Sequence, residues 1–122
     1  VIVGGECIGS TSYLAEIPAQ RQVEIGWTYY ARAFWRTAVN SECKLLLMNE
    51  AFETRNYDRV QFKTDILNDR SQRAIERLGA LREGVLRHQQ IRRDGSARDS
   101  VYYSVIGEEW PGVKAKLMAA LG

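Results

Sequence analysis

Polar and apolar residues alternate along the first part of the chain, and this alternation predicts strands. Val1 to Val3 and Cys7 to Leu14 are predicted to form two short strands around a Gly4-Gly5 turn. Gln22 to Tyr30 alternates in the same way and is rich in strand-forming residue types, which predicts a third strand. Gly26 lies inside that strand, where a glycine often marks a bulge or the close approach of another backbone or a ligand.

The spacing of apolar residues becomes helical after this strand. Thr37 has a side chain suited to capping a helix N-terminus. The helix that follows is predicted to carry Val39, Cys43, Leu46 and Leu47 on one side, with Met48, Ala51 and Phe52 continuing the apolar surface. Asn68 to Leu78 predicts a second helix that stops at Gly79, and Glu108 to Leu121 predicts a closing helix.

Further strands are predicted between these helices. Arg59 to Asp65 is predicted to form one strand, and Val85 to Arg92 pairs with Ser100 to Ile106 around an Asp94-Gly95 turn. A strand followed by a helix, repeated once, implies parallel pairing and an α/β (α+β) fold. The length of 122 residues predicts one domain, 1–122.

Composition narrows the class of protein. Hydrophobic residues make up 45% and charged residues 26%, which are globular proportions. No apolar run approaches the roughly 20 residues that span a bilayer, and the first residues lack the pattern of a signal peptide. We therefore expect a cytoplasmic protein without a membrane partner.

The charged and thiol side chains suggest no nucleic-acid or metal site. The net charge is only +2. Arginines concentrate at positions 70, 73, 77, 82, 87, 92, 93 and 98, but acidic residues at 69, 76, 83, 94 and 99 lie among them. Mixed signs favour a solvated surface, with an RNA-binding face as the alternative. Cys7 and Cys43 form no CxxC pair and are expected to be free thiols rather than metal ligands.

The junction between the strand ending at Tyr30 and the helix opening at Thr37 is the first candidate site. A helix N-terminus presents unpaired backbone N–H groups that suit a phosphate. This signal is weak alone, because every parallel α/β protein has several such junctions.

A resemblance strengthens it. The runs EIGWTYYARAFWRTAVNSECKLLLMNEAFE, RVQFKTDILNDRSQRAIERLGALREGVLR and DGSARDSVYYSVIGEEWPGVKAKL resemble GNAT N-acetyltransferases of the branch that acetylates ribosomal-protein N-termini. The resemblance implies a mixed, partly parallel twisted sheet with flanking helices. It also implies acetyl-CoA as cosubstrate, no metal, and transfer of the acetyl group to a primary amine, either a protein N-terminus or a small amine, by direct attack in a ternary complex.

The resemblance also implies where the cofactor binds. The strand from Glu24 to Tyr30 would splay from its parallel neighbour, and its last residues would hydrogen-bond the pantetheine arm. The implied cofactor-binding residues are Tyr29, Tyr30, Trp35, Arg36, Thr37, Ala38, Val39, Asn68 and Arg73. Arg73, with Arg70, would flank the phosphates, although a solvated surface role is an equal alternative.

The phosphate loop departs from the family pattern. Ala33, Arg36 and Ala38 stand where the family has Gln or Arg, then Gly, then Gly or Ala, so only the last position fits. Arg36 adds bulk where backbone normally approaches phosphate, yet its guanidinium is able to pair with a phosphate oxygen. Both outcomes stay open from the sequence.

The implied catalytic residues are Ser71 and Glu24. Ser71 matches the serine proposed to protonate the departing CoA thiolate. A helix N-terminal cap is the alternative role for both Asn68 and Ser71. Gln90 stands where the family has a glutamate proposed as general base, and Glu24 is our substitute, acting directly or through water. A surface carboxylate is the alternative for Glu24, and His88, the only histidine, is expected to be a surface or packing residue.

In the family, a strand and two helices precede the segment equivalent to Val1, so the fold is expected to be N-terminally truncated, comprising the C-terminal two thirds of the usual fold. A fragment and a short complete member both fit, and an exposed early strand would invite pairing with a second copy. Ala33, Arg36 and Gln90 also motivate an alternative function, a non-catalytic GNAT-like binding or scaffold domain.

Overall fold

A computed structural model describes residues 2–3, 6–7, 9–30 and 38–121 of the chain. The strands are β1 (Ile2–Val3), β2 (Glu6–Cys7), β3 (Gly9–Ile17), β4 (Gln22–Tyr30), β5 (Arg59–Asp65), β6 (Leu81–Ile91) and β7 (Ala97–Ile106). The α-helices are α1 (Ala38–Asn49), α2 (Asp69–Arg77) and α3 (Trp110–Leu121). A 3-10 turn at Pro18–Gln20 joins β3 to β4, and a π-helical turn at Glu50–Thr54 continues α1.

The main sheet has five strands in the order β3-β4-β5-β7-β6. Among the described strands, only β4 and β5 pair in parallel, as the order strand, helix, strand predicted, and this confirms the predicted mixed, partly parallel sheet. The β6–β7 hairpin places β7 between β5 and β6 and antiparallel to both.

The early strands differ in extent from the prediction. The small β1–β2 hairpin, with Val3 paired to Glu6, agrees with the predicted hairpin, although the turn residues Gly4 and Gly5 lie outside the described residues. Of the predicted strand from Cys7 to Leu14, Cys7 lies in β2, and the residues from Gly9 onward lie in β3, which pairs with β4 and extends to Ile17. Ile8 lies outside the described residues.

One cluster of buried side chains forms the core. Along β5, Val60 and Phe62 are almost fully buried while their neighbours are half-buried, so β5 has a core face and a polar face. The helical segments contribute Met48, Ala51, Phe52, Ile75, Leu78, Trp110, Val113 and Leu117 to this cluster. The rings of Phe52 and Trp110 stack with their centroids 5.2 Å apart.

The predicted apolar side of α1 was partly wrong. Leu46 is 64% exposed, whereas Lys44 and Met48 are buried. Positions 44, 48, 51 and 52 follow the i, i+4, i+7 pattern of one helix face, and position 46 lies across the helix from them. Cys43 is half-buried and carries a free thiol.

The polar face of the sheet comes from the same alternation in β5. Arg59, Gln61, Lys63 and Asp65 point away from the core, and Gln61 lies between Glu24 on β4 and Ser104 on β7.

The two glycines predicted to end a helix and to form a turn do so in the structure. Gly79, with φ +95°, follows the end of α2, and Gly95, with φ +88°, lies in the turn before β7. No helix within the described ranges is long and apolar enough to cross a membrane.

Candidate functional site

The candidate site begins where the two parallel strands part. The pairing joins Gln22 to Arg59, Val23 to Val60 and Glu24 to Gln61. Both strands then continue, β4 to Tyr30 and β5 to Asp65, and in the described part of the chain no further pair joins them. Parallel strands that separate toward their carboxyl ends leave a gap open to a ligand with hydrogen-bonding groups along its length.

A bulge in β4 lies beside this gap. Tyr29 pairs with Ser10 and Gly26 pairs with Ser12, so β4 has one residue more than β3 between these two pairs. Of the two roles that the sequence suggested for Gly26, the bulge is observed, directly after this residue. A bulge bends its strand and redirects the side chains that follow it, which turns the end of β4 away from a regular course.

The first helix N-terminus is described only in part. Helix α1 starts at Ala38, and Val39 lies in its first turn, as the predicted helix start requires. Trp35, Arg36 and Thr37 lie outside the described residues, as does Ala33. For Tyr29, Tyr30, Ala38 and Val39 the structure describes the backbone, so the cofactor contacts of all these residues stay predictions.

The second helix N-terminus is described in full. Asn68 caps α2, because its Oδ1 accepts a hydrogen bond from the backbone N–H of Ser71 at 3.0 Å. The capping role considered for Asn68 is therefore confirmed, while its side-chain NH2 group takes no part in that bond. Ser71 contributes its backbone to the cap and retains its hydroxyl for other use. Arg70 and Arg73, two and five residues beyond Asn68 in the chain, are exposed.

An ion pair with two hydrogen bonds joins Arg92 to Asp65, the last residue of β5. Arg92 Nε and Nη2 donate to Asp65 Oδ2 and Oδ1 at 2.7 and 2.8 Å, and Nη1 donates to the Ala97 carbonyl at 2.7 Å. The hydrogen bonds from Arg92 are the main cause that lowers the pKa of Asp65 to about 2. Asp65 Oδ1 also accepts from the Leu67 N–H at 3.0 Å, so one carboxylate ties the β6–β7 hairpin to the segment that starts α2.

Glu24 lies where the strands begin to part, and it is only 5% exposed. The alternative of a solvated surface carboxylate is therefore wrong. Gln61 Nε2 donates to Glu24 Oε1 at 2.7 Å, and Lys63 Nζ lies 3.7 Å from Oε2. Burial raises the pKa of Tyr102 on β7, and the charge of Glu24 adds to that rise.

A small cavity opens beside Glu24 on the polar face of the sheet. Its volume is about 160 Å³, and its walls come from Ala15 and Ile17 on β3, Gln22 and Glu24 on β4, and Arg59 and Gln61 on β5. A space of this size holds a few water molecules or a short side chain.

The two predicted catalytic residues lie on different elements. Glu24 lies on β4 opposite Gln61, whereas Ser71 lies in α2, six residues beyond the end of β5 at Asp65. From Gln61 to Asp65, β5 alone runs about 13 Å at the usual rise per residue. The structure thus brings Ser71 together with Asn68 and brings Glu24 together with Gln61.

Gln90 and His88 lie elsewhere on the sheet. Gln90 pairs with Arg98, six residues along β7 from the row of Glu24, or about 20 Å of strand, so Glu24 does not occupy the place of Gln90. His88 sits in a β6 irregularity with φ +51°. Its side chain is exposed, and its backbone N–H donates to Asp99 Oδ1 at 2.8 Å.

The arginines between 70 and 98 divide into two groups. Arg92 and Arg98 are half-buried and held by Asp65 and by the hydroxyl of Ser100, whereas the other six are exposed along α2 and the β6–β7 hairpin. Within the ranges that the structure describes, no group of three or more His, Cys, Asp or Glu side chains is placed to hold a metal ion.

Sequence reasoning missed Arg59, Gln61 and Lys63. These residues line the polar face next to Glu24, and Arg59 bridges Gln61 and Glu83. The alternation of RVQFKTD was a usable signal, since polar residues at every second position of a central strand must share one face.

Comparisons with known proteins agree with this geometry. The family model described as an acetyltransferase (GNAT) domain matches residues 1–81. A curated protein of Bacillus subtilis (strain 168), YdaF, whose name proposes a ribosomal N-acetyltransferase, is 32% identical over 94 residues, which are 77% of this chain and 50% of that protein. The chain thus spans about half the length of this curated relative.

Solved structures share the fold closely. A GCN5-related N-acetyltransferase from Brucella melitensis is 30% identical with a TM-score of 0.93, over 97% of this chain and 53% of that one. A protein from T. thermophilus, proposed to be an acetyltransferase, is 50% identical with the same TM-score, over 98% and 63% of the two chains. Mycobacterium smegmatis RimJ, solved in complex with CoA-disulfide, shares the fold at 21% identity, a TM-score of 0.83 and coverage of 98% and 57%.

Proposed function

Because the chain belongs to the GNAT acetyltransferase family, we propose that it takes part in the transfer of an acetyl group from acetyl-CoA to a primary amine. The acceptor is a protein N-terminus or a small amine, and transfer proceeds by direct attack within a ternary complex. The name of the B. subtilis relative supports a protein N-terminus as one acceptor class.

The observation that carries this proposal is the separation of β4 and β5 after Glu24 and Gln61. A gap between two strands suits an extended amide-bearing arm, because backbone groups facing the gap are able to pair with its amides. Helix α2 begins beyond the end of β5 with its N-terminus capped by Asn68, and α1 begins beyond the end of β4. Helix N-termini attract anions, so they suit the phosphates at the far end of such an arm.

Direct transfer of the acetyl group needs no covalent intermediate on the protein. Acetyl-CoA supplies the thioester. Glu24 accepts a proton from the acceptor ammonium, directly or through water. The neutral amine forms the new C–N bond as the C–S bond breaks, and the Ser71 hydroxyl donates a proton to the departing sulfur. The extra proton on the new amide nitrogen leaves through water and restores the Ser71 hydroxyl, so that the products are the acetylated amine and CoA with a free thiol. Positioning of the two reactants supplies most of the acceleration.

Ligand binding and product formation test this proposal separately. Calorimetric titration with acetyl-CoA and thermal unfolding with and without it should show binding and a raised Tm, because a ligand that binds only the folded state stabilises that state. Incubation with acetyl-CoA and either a peptide with a free N-terminus or spermidine should then yield an acetylated amine by mass spectrometry. Absence of acetyl-CoA binding would refute the proposal, and binding without any acetylated product would favour a non-catalytic domain.

A further inference from the structure

A continuous line of polar side chains spans four neighbouring strands of the sheet, from β6 over β7 and β5 to β4, and ends at Glu24. Glu83 Oε1 accepts from Arg59 Nη2 at 2.9 Å, and Arg59 Nη1 donates to Gln61 Oε1 at 2.6 Å. Gln61 Nε2 then donates to Glu24 Oε1 at 2.7 Å. The line therefore joins β6, β5 and β4 on the polar face of the sheet.

Arg59 helps to fix the orientation of the Gln61 side-chain amide. A guanidinium carries only donors, so the Gln61 amide must turn its oxygen toward Arg59. Its NH2 group is then directed at Glu24. The Glu24 carboxylate, which accepts from the NH2 group, favours the same orientation, so Arg59 and Glu24 hold the Gln61 amide from its two ends.

We propose that Arg59 and Gln61 are positioning residues for Glu24: together they hold Oε1 of its carboxylate and leave Oε2 to accept the proton of the acceptor amine. This inference rests on the proposed function, since it assumes that Glu24 is the base. Lys63 Nζ lies 3.7 Å from Oε2, beyond hydrogen-bond distance, so an incoming ammonium or water can approach that oxygen.

Charged and titratable side chains near Glu24 come from β5, β6 and β7. Lys63 and Arg59 on β5 are positively charged, and Glu83 on β6 is paired with Arg59. On β7 the Tyr102 hydroxyl feels the charge of Glu24. Leu14 on β3, paired opposite Glu24, has no charge. The Gln61 hydrogen bond is thus one of few contacts that fix the direction of the carboxylate.

Kinetic variants test the positioning role. Gln61→Leu removes the donor, and we expect kcat with a free-amine peptide to fall by about ten- to a hundredfold, the range for a lost hydrogen bond to a charged group, while KM for acetyl-CoA stays unchanged. The acidic limb of the pH profile should move to higher pH, because the ionised carboxylate has lost a donor. Gln61→Glu should move it further by adding a like charge.

Two further variants separate positioning from general damage. Gln89→Glu makes the same charge change at a half-buried glutamine of β6 that contacts Ser100 instead, and it should leave the acidic limb in place. Arg59→Ala should lower kcat less than Gln61→Leu does, and combining the two should cost no more than Gln61→Leu alone, because both act through one contact. Additive losses, or the same shift of the limb in Gln89→Glu, would overturn the proposal.

A measurement without an acceptor keeps this proposal distinct from the proposed function. In 15N-labelled protein, the Gln61 side-chain NH2 signals, identified by their loss in Gln61→Leu, should move as Glu24 is protonated and should be insensitive to acid pH in Glu24→Gln. Signals that ignore this substitution would refute the positioning contact whatever the activity. Signals that respond, together with full turnover in Glu24→Gln, would refute the role of Glu24 as base and with it the inference.

Discussion

The ion pair between Asp65 and Arg92 should make this protein sensitive to acid. Asp65→Asn keeps the shape of the side chain but removes the charge that Arg92 grips with two nitrogens at 2.7 and 2.8 Å. Lowering the pKa of Asp65 from 3.8 to about 2 corresponds to about 2.5 kcal/mol at 1.36 kcal/mol per unit. Both side chains are about one quarter exposed, and solvent screens such a pair, so we expect a loss of about 1 to 2 kcal/mol at pH 7.

The pH dependence has a defined sign. The folded-state pKa of Asp65 is lowered, so its contribution is present above the unfolded value near 3.9 and disappears as the pH falls toward 2. Urea unfolding of parent and Asp65→Asn should therefore differ at pH 7 and converge between about pH 4 and pH 2. Asp69→Asn, the same change at an exposed carboxylate in the first turn of α2, is the control and should cost at most about 1 kcal/mol. A gap between parent and Asp65→Asn that stays constant down to pH 2 would refute the electrostatic reasoning.

Substitutions at three other residues, Ser71, Asn68 and Arg36, test the roles proposed for them in catalysis, helix capping and phosphate binding. Ser71→Ala should lower turnover more than it weakens acetyl-CoA binding, since a leaving-group proton is needed mainly in the transition state; unchanged turnover would reduce Ser71 to part of the cap. Asn68→Ala should lower the free energy of unfolding by about 1 kcal/mol in urea titrations through loss of the cap, whereas Asn68→Asp, which keeps an acceptor, should not. Arg36→Ala should weaken acetyl-CoA by about 1.5 to 3 kcal/mol, most at low salt, if the guanidinium binds phosphate. Dissociation constants for Arg36→Ala and Arg36→Gly at two salt concentrations decide this, because tighter binding in either variant would mean that Arg36 obstructs the pocket.

Local patterns predicted the elements that carry a strong signal of their own. Strands β4 and β5 have the predicted bounds, and the bulge at Gly26 and the end of α2 at Gly79 followed from backbone preferences of single residues. The place of β7 between β5 and β6 could not be predicted this way. Strand order depends on which faces pack together in three dimensions, and the sequence of one strand does not identify the strand that pairs with it.

The candidate site shows the same division. Asn68 was expected at a helix N-terminus because its side chain bonds locally to the backbone three residues on. The burial of Glu24 was not expected, because it depends on Gln61 and Lys63, which are 37 and 39 positions away in the chain. Sequence reasoning therefore identified the residue types of the site better than it identified their partners.

The short parallel junction also has a mechanical consequence. Among the residues that the structure describes, three residue pairs join the β3–β4 ribbon to the β5–β7–β6 ribbon in the sheet, from Gln22 with Arg59 to Glu24 with Gln61. A molecule lying in the gap and bonded to both ribbons would act as an extra strand across this seam, restraining the angle between them. The amide hydrogens near the seam should then exchange more slowly when such a molecule is bound, while those deep within each ribbon change little.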